Sequence, residues 1–242
     1  MLLKSVFIGF LSFHSVDTTM LKECENEEDK ISGCVEREYY SNGKLELEMP
    51  YKNGKVEGIA KQYYESGNLN IETPYKNSKV EGIAKQYYEN GKLGLESPHK
   101  NDKREGIEKW YYENGELKTE IPYKNGKKEG IKRWYYENGN LEGEIPYKNG
   151  KREGTAKEYD KMGNLQIEMS FLNDMLQGDI RFYITDKKLL ALLKVENGEF
   201  ISGKCFDDKV LTDKEREDLS RLKSIEKAIN YLKEICLSND SK

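Results

Sequence analysis

"YYENGELKTEIPYKNGKKEG", residues 111–130, holds two Asn-Gly steps separated by a short run rich in alternating apolar residues. Nearly the same stretch begins again at Tyr63, Tyr87 and Tyr135. Working outward, Gly58, Gly82, Gly106, Gly130, Gly154 and Gly178 stand 24 residues apart, as do Gly43, Gly67, Gly91, Gly115, Gly139 and Gly163. Leu45, Leu69, Leu93, Leu117, Leu141 and Leu165 keep the same step, and so do the tyrosines from Tyr39 to Tyr183. All five prolines fall in a single series, Pro50 to Pro146. Six units are visible between Cys34 and Gln177, with half a seventh after Gly178. A fixed period of this length marks a repeat architecture, in which each unit buries its apolar side chains only by stacking on its neighbours.

Each unit carries two turn signals, "ENG" and "KNG" in their commonest forms. Asn-Gly supplies the two positive-φ residues of a type I′ turn, so both are expected to be two-residue hairpin bends. The segments between them have the length and the Tyr, Ile, Leu and Trp content of strands. Pro and Gly recur too often for helix. The expected fold is an all-β repeat array: consecutive 24-residue antiparallel β-hairpins in an elongated single-layer sheet or solenoid, with a C-terminal capping α-helix.

The register can be tested on paper. With Asn90-Gly91 at the centre of a two-residue turn, Tyr88 faces Leu93, Gln86 faces Leu95 and Lys85 faces Glu96. The same arithmetic sets Arg37 against Glu48, Lys61 against Glu72, Lys109 against Glu120, Arg133 against Glu144 and Lys157 against Glu168. A cation opposes a carboxylate in every unit, and each such pair contributes ~0.2–1 kcal/mol. A slip of one residue would break them all and turn every side chain to the other side. One face then holds the second tyrosine of each pair, the repeated leucines, Leu47, Ile71, Leu95, Trp110 and Trp134. The other holds the ion pairs and the first tyrosines. The first is the more apolar, and is expected to be concave or covered.

Composition agrees with a thin sheet. The chain of 242 residues is 35% charged and 36% hydrophobic, which is too polar for a thick core, yet its 17 Tyr and 7 Phe are too many for disorder. The net charge of -4 comes from interspersed residues with no basic block, so the footprint of a nucleic-acid binder is lacking. Cys24, Cys34, Cys205 and Cys236 form no C-x-x-C, and the histidines are His14 and His99 alone; no zinc site of usual spacing is expected, and no metal or cofactor. Cys24 and Cys34 can pair if the protein is exported and stay free thiols otherwise. Residues 1–20 join Lys4 to an apolar run from Val6 to Phe13, the form of a short signal peptide, but without a clean cleavage site. A cytoplasmic location is favoured, with export as the alternative. No stretch approaches the roughly 18–20 apolar residues of a spanning helix.

The pattern "YYENGxLxxExPYKNGKxEG" resembles the MORN-repeat family in its bacterial variant form, from Cys34 to about Tyr183. Cys34 stands where other units have Gly, and "SFLNDMLQG" replaces the usual motif in the sixth unit, so both ends are expected to act as caps. The resemblance implies a binding array, and bacterial proteins of this kind are often labelled YwqK-family antitoxins, immunity partners of a secreted toxin. Arrays of the family also accompany lipid kinases, but this chain has no kinase phosphate loop or catalytic Asp-Lys pair.

Three segments follow: 1–33 as an N-terminal segment, 34–184 as the repeat array, and 185–242 as C-terminal strands and a capping helix. In the last, "ENG" at 196–198 joins two further strands. "TDKEREDLSRLKSIEKAINYLKEICL" reads as one helix, with Thr212 and Glu215 as a capping box and Leu222, Ile225, Ile229, Leu232 and Cys236 as its apolar stripe.

An active site needs a few unlike groups converging, whereas this ladder offers identical copies. His99 replaces the tyrosine of its repeat and marks no catalytic base. The chain is therefore expected to be a non-enzymatic protein-interaction module, with an antitoxin or immunity role as its specific form. An exported scaffold binding lipid or cell-wall components is the alternative. Trp110 and Trp134 share one repeat position mid-array, with Tyr112 and Tyr136 two residues on. With Tyr88 they are the expected binding residues, since exposed Trp and Tyr anchor interfaces. Plain sheet packing is the competing role. The expected partner is a protein, a toxin in the specific form.

Overall fold

The computed structural model describes residues 18–184, 188–222 and 224–237. The apolar run from Val6 to Phe13, read above as a signal peptide, lies outside them. Among the described residues, twenty strands join in one antiparallel sheet whose units repeat every 24 residues, followed by two helices. A representative unit has strands Gly106–Tyr111, Leu117–Lys124 and Lys127–Lys128. The second strand also pairs with Gly130–Tyr135 of the next unit, so that Thr119 lies opposite both Trp110 and Trp134.

The two bends differ. In "KNG", Asn125 (φ 51°) and Gly126 (φ 79°) both have positive φ, and Lys124 pairs directly with Lys127. This is the expected two-residue I′ geometry. In "ENG" only the glycine, Gly115 at φ 98°, is left-handed. The Tyr112 N–H reaches the Glu116 carbonyl at 2.8 Å, closing a three-residue loop, and Asn114 Oδ1 accepts the Glu116 N–H at 2.8 Å. The extra residue is absorbed by a bulge: Trp110 opposes Thr119, but Tyr111 opposes Leu117. Tyr88 therefore does not face Leu93; Tyr87 does. The repeated leucines consequently belong with the first tyrosines, not with the tryptophans, because cross-strand partners share a face. Below the bulge the expected register holds, with Lys or Arg opposite Glu in all six units.

Opposition does not make all six ion pairs. Arg37 reaches Glu48 at 3.2 Å and Arg133 reaches Glu144 at 3.5 Å. Lys157 instead approaches Glu144 of the preceding unit, at 3.9 Å. Among the described residues, no ion pair joins Lys61 to Glu72, Lys85 to Glu96 or Lys109 to Glu120. A flexible ammonium gives up its order readily, whereas a guanidinium fork holds it. Five of the six carboxylates, all but Glu144, are held by tyrosines of the following unit. Tyr63 donates to Glu48 at 3.0 Å, Tyr87 to Glu72 at 2.9 Å, Tyr111 to Glu96 at 3.1 Å, Tyr135 to Glu120 at 3.1 Å and Tyr183 to Glu168 at 2.7 Å.

Two further ladders tie unit to unit. The second tyrosine of each pair donates to a carbonyl one unit ahead, as Tyr88 Oη does to Tyr111 O at 2.6 Å. On the opposite edge, the glutamate of each Glu-Gly caps the next bend: Glu105 Oε2 accepts the Asn125 N–H at 2.6 Å. These bonds explain why the period is strict in polar positions as well as apolar ones.

Both ends are capped. Residues 22–24 pair with the first strand, and Cys24 is bonded to Cys34. Helix α1 (Glu27–Ser32) is N-capped by Asn26 and offers its Lys30 and Ile31 carbonyls to the Gly54 and Asn53 N–H groups. It thereby takes the place of the missing preceding bend. At the other end, strands Leu189–Glu196 and Glu199–Cys205 extend the sheet around Asn197-Gly198. The expected single helix is two, α2 (Asp213–Ser220) and α3 (Ile225–Leu237). The Thr212–Glu215 capping box is present, and the break arises where Ser224 Oγ accepts the Lys227 N–H and starts a second helix. Leu219, Ile229, Leu232 and Cys236 of these helices pack on Ile167, Ile180, Phe182 and Leu193 in a large apolar cluster, where Cys205 is bonded to Cys236. No helix among the described residues is long and apolar enough to cross a membrane.

Candidate functional site

The face sealed by α2 and α3 is the tryptophan face. Across the sheet, successive partners run Leu95, Trp110, Thr119, Trp134, Gly143, Glu158, Ile167 and Phe182. Ile167 and Phe182 lie under the helices, while Trp110 is 40% exposed. One surface is therefore covered at its C-terminal end and open in mid-array. Trp110 and Trp134 sit two strands apart, or about 9.5 Å.

Each tryptophan is held differently. The Trp110 indole N–H donates to Glu108 Oε1 at 2.9 Å. Glu108 is 3% exposed, and its other oxygen accepts from Ser97 Oγ at 2.9 Å and pairs with Arg104 Nε at 3.1 Å. A buried carboxylate with its lone pairs this fully engaged stays in place, and it fixes the indole plane. Trp134 lies on Gly143, where an added Cβ would fall 2.2 Å from its ring. Lys132 Nζ stands 5.5 Å from its ring centroid.

Beside Trp134 is an open groove of about 390 Å³, lined by Tyr112, Lys118, Lys132, Ile145, Tyr147 and Arg152 among others. Burial, reinforced by the neighbouring Lys128 charge, draws the Lys132 pKa below the usual lysine value. Burial, then the Glu142 charge, raises that of Glu158, one strand beyond Gly143. Burial and then the hydrogen-bonded glutamates push Tyr63, Tyr87, Tyr111 and Tyr183 up to about 12.

Of the five binding residues read from the sequence, the groove brings together Tyr112 and Trp134. Trp110 lies on the same row. Tyr88 and Tyr136 do not line it, and both use their hydroxyls between units: Tyr88 on Tyr111 O at 2.6 Å, Tyr136 on Tyr159 O at 2.8 Å. Tyr112 does likewise with Tyr135 O at 2.7 Å while its ring faces the Lys118 ammonium, 5.2 Å away. Sequence reading passed over Glu108, Lys132 and Gly143. The available signal was the broken period: positions 60, 84 and 156 are Ala where 108 and 132 are charged, and Gly143 interrupts a series of Leu, Ile and Thr.

The MORN repeat variant family matches residues 35–53, 56–77, 80–101, 104–125, 128–149 and 152–173, more than half of the chain. No curated protein matches it. Six consecutive matched segments coincide with the six structural units, and the chain is a member of the MORN repeat variant family.

Proposed function

We propose that the chain is a non-catalytic, protein-binding array whose recognition surface is the tryptophan face around Trp110 and Trp134. Repeats of this family are commonly protein- or membrane-binding modules. The observation that carries the reading is the change along a single face. The helices cover it beyond Glu158, whereas in mid-array it presents two tryptophans, one of them oriented by a buried carboxylate. Aromatic anchors on a rigid support are what interface hot spots require, since little side-chain entropy is lost on binding. A photo-crosslinking residue at position 110, in the full chain within its source cells, is expected to capture a distinct protein partner. Capture is expected to be lost in Trp134→Ala. Equal capture from position 107, on the other face, would refute the proposal.

A toxin is the specific partner that the resemblance suggests; co-expression should then rescue cells from that protein. The reading as an exported scaffold is favoured by a separate observation, the pairing of all four cysteines, because such bonds persist in oxidising compartments. Alkylation of the protein from its source cells, followed by mass spectrometry, should find no free thiol. Four alkylated cysteines would refute export.

A further inference from the structure

The groove beside Trp134 holds an excess of positive charge that the repeat plan does not require. The position of Lys132 is Ala in three other units and Glu in two, at Glu36 and Glu108. Here alone among the six units it is a cation. Lys132 is half-buried against Trp134, and among the described residues neither it nor Lys118 takes part in an ion pair. The guanidinium of Arg152 is engaged by Asp174 at 3.3 Å. The acid lining the groove, Glu142, forms no ion pair among the described residues. A partly desolvated ammonium without an anion is a standing cost that an incoming carboxylate relieves.

We infer that this groove takes an acidic side chain, Asp or Glu, of the protein partner, with an adjoining apolar side chain on Trp134 and Ile145. The inference rests on the reading of this face as a protein-binding surface. A carboxylate fits better than a phosphate. With Arg152 engaged by Asp174, Lys118 and Lys132 face Glu142 in the groove, a surplus of one positive charge that balances a single carboxylate but not a phosphate of about −2.

The test is selection of a random peptide library displayed on phage against the full chain, with Trp134→Ala, Lys132→Met and Lys132→Glu as counter-targets. Peptides that require Trp134 are expected to be enriched in Asp and Glu, and Lys132→Met should weaken the best of them about tenfold. Lys132→Glu should abolish their binding and restore it when their acidic residue is changed to Lys, an outcome a misfolded variant cannot give. Trp134-dependent peptides of neutral or basic composition would overturn the inference and leave the protein-binding face standing. Tighter binding of a phosphoserine peptide than of its glutamate counterpart would also overturn it. If no selected peptide depends on Trp134, the underlying reading falls as well.

Discussion

The unit-to-unit tyrosine ladder makes a definite energetic claim, and Tyr87→Phe tests it. The Tyr87 hydroxyl donates to Glu72 Oε2 of the preceding unit at 2.9 Å. Hydrogen bonds to charged groups contribute about 1.5–3 kcal/mol net, and the half-exposed Glu72 can recruit water once the hydroxyl is gone, so the loss should be near about 1.5 kcal/mol. Tyr88→Phe removes a neutral bond to the Tyr111 carbonyl, worth about 1 kcal/mol. The two hydroxyls reach opposite neighbouring units and share no acceptor, but the residues are consecutive, so the double variant measures their coupling as its departure from the sum of about 2.5 kcal/mol. Tyr39→Phe is the control. Tyr39 has no repeat unit before it, is 53% exposed, and its hydroxyl makes no hydrogen bond among the described residues. Urea unfolding can be followed by the fluorescence of the chain's two tryptophans, both in the middle of the array. With a slope of about 2 kcal/mol/M, the Tyr87→Phe midpoint should fall by about 0.7 M and that of Tyr39→Phe by less than about 0.2 M. Equal shifts for the two would refute the ladder as the coupling between units.

Three other perturbations probe other parts of the fold. Gly82 has φ 120°, and an added Cβ would meet Pro74 Cγ at 3.1 Å, so Gly82→Ala should cost about 2 kcal/mol in urea unfolding. Gly91→Ala, at φ 81° with open space around it, should cost about 1 kcal/mol; the reverse order would count against the Gly-Pro contact. The Glu158 pKa is raised above 4.5 by burial and then by Glu142. Its ionisation therefore opposes folding above the folded pKa, and the penalty vanishes as pH falls below the unfolded value. Glu158→Gln should accordingly raise the melting temperature near neutral pH, with the gain gone at about pH 4; a gain independent of pH would exclude this cause. Finally, Cys205–Cys236 spans 31 residues and Cys24–Cys34 spans 10. On the chain-entropy account, removing the former by paired Cys→Ser changes should destabilise by about 1 kcal/mol more, measured again by urea unfolding. An equal or smaller effect would place the stabilisation elsewhere.

The 24-residue period, the hairpins and the Lys/Arg–Glu register were legible because they depend on local chemistry. An Asn-Gly bend and a period-two side-chain pattern act within one unit, and six copies repeat the signal. The difference between the bends was not legible, because "ENG" and "KNG" carry the same dipeptide. Only the closure from Tyr112 to Glu116 shows that a residue must be absorbed as a bulge, moving Leu117 to the opposite face. The ionic expectation held only in part, since opposition fixes the register but not the bond: Lys61 lies opposite Glu72, yet the group that holds Glu72 is Tyr87 of the next unit, which the pattern of one hairpin does not contain. The apolar stripe of the C-terminal helices could be read, but not the face on which it lands. Repetition in sequence thus determined the fold of each unit. The tertiary structure decided how units grip one another, where the tryptophan face is covered and where it stays open, because those depend on side chains that meet only after the sheet has formed.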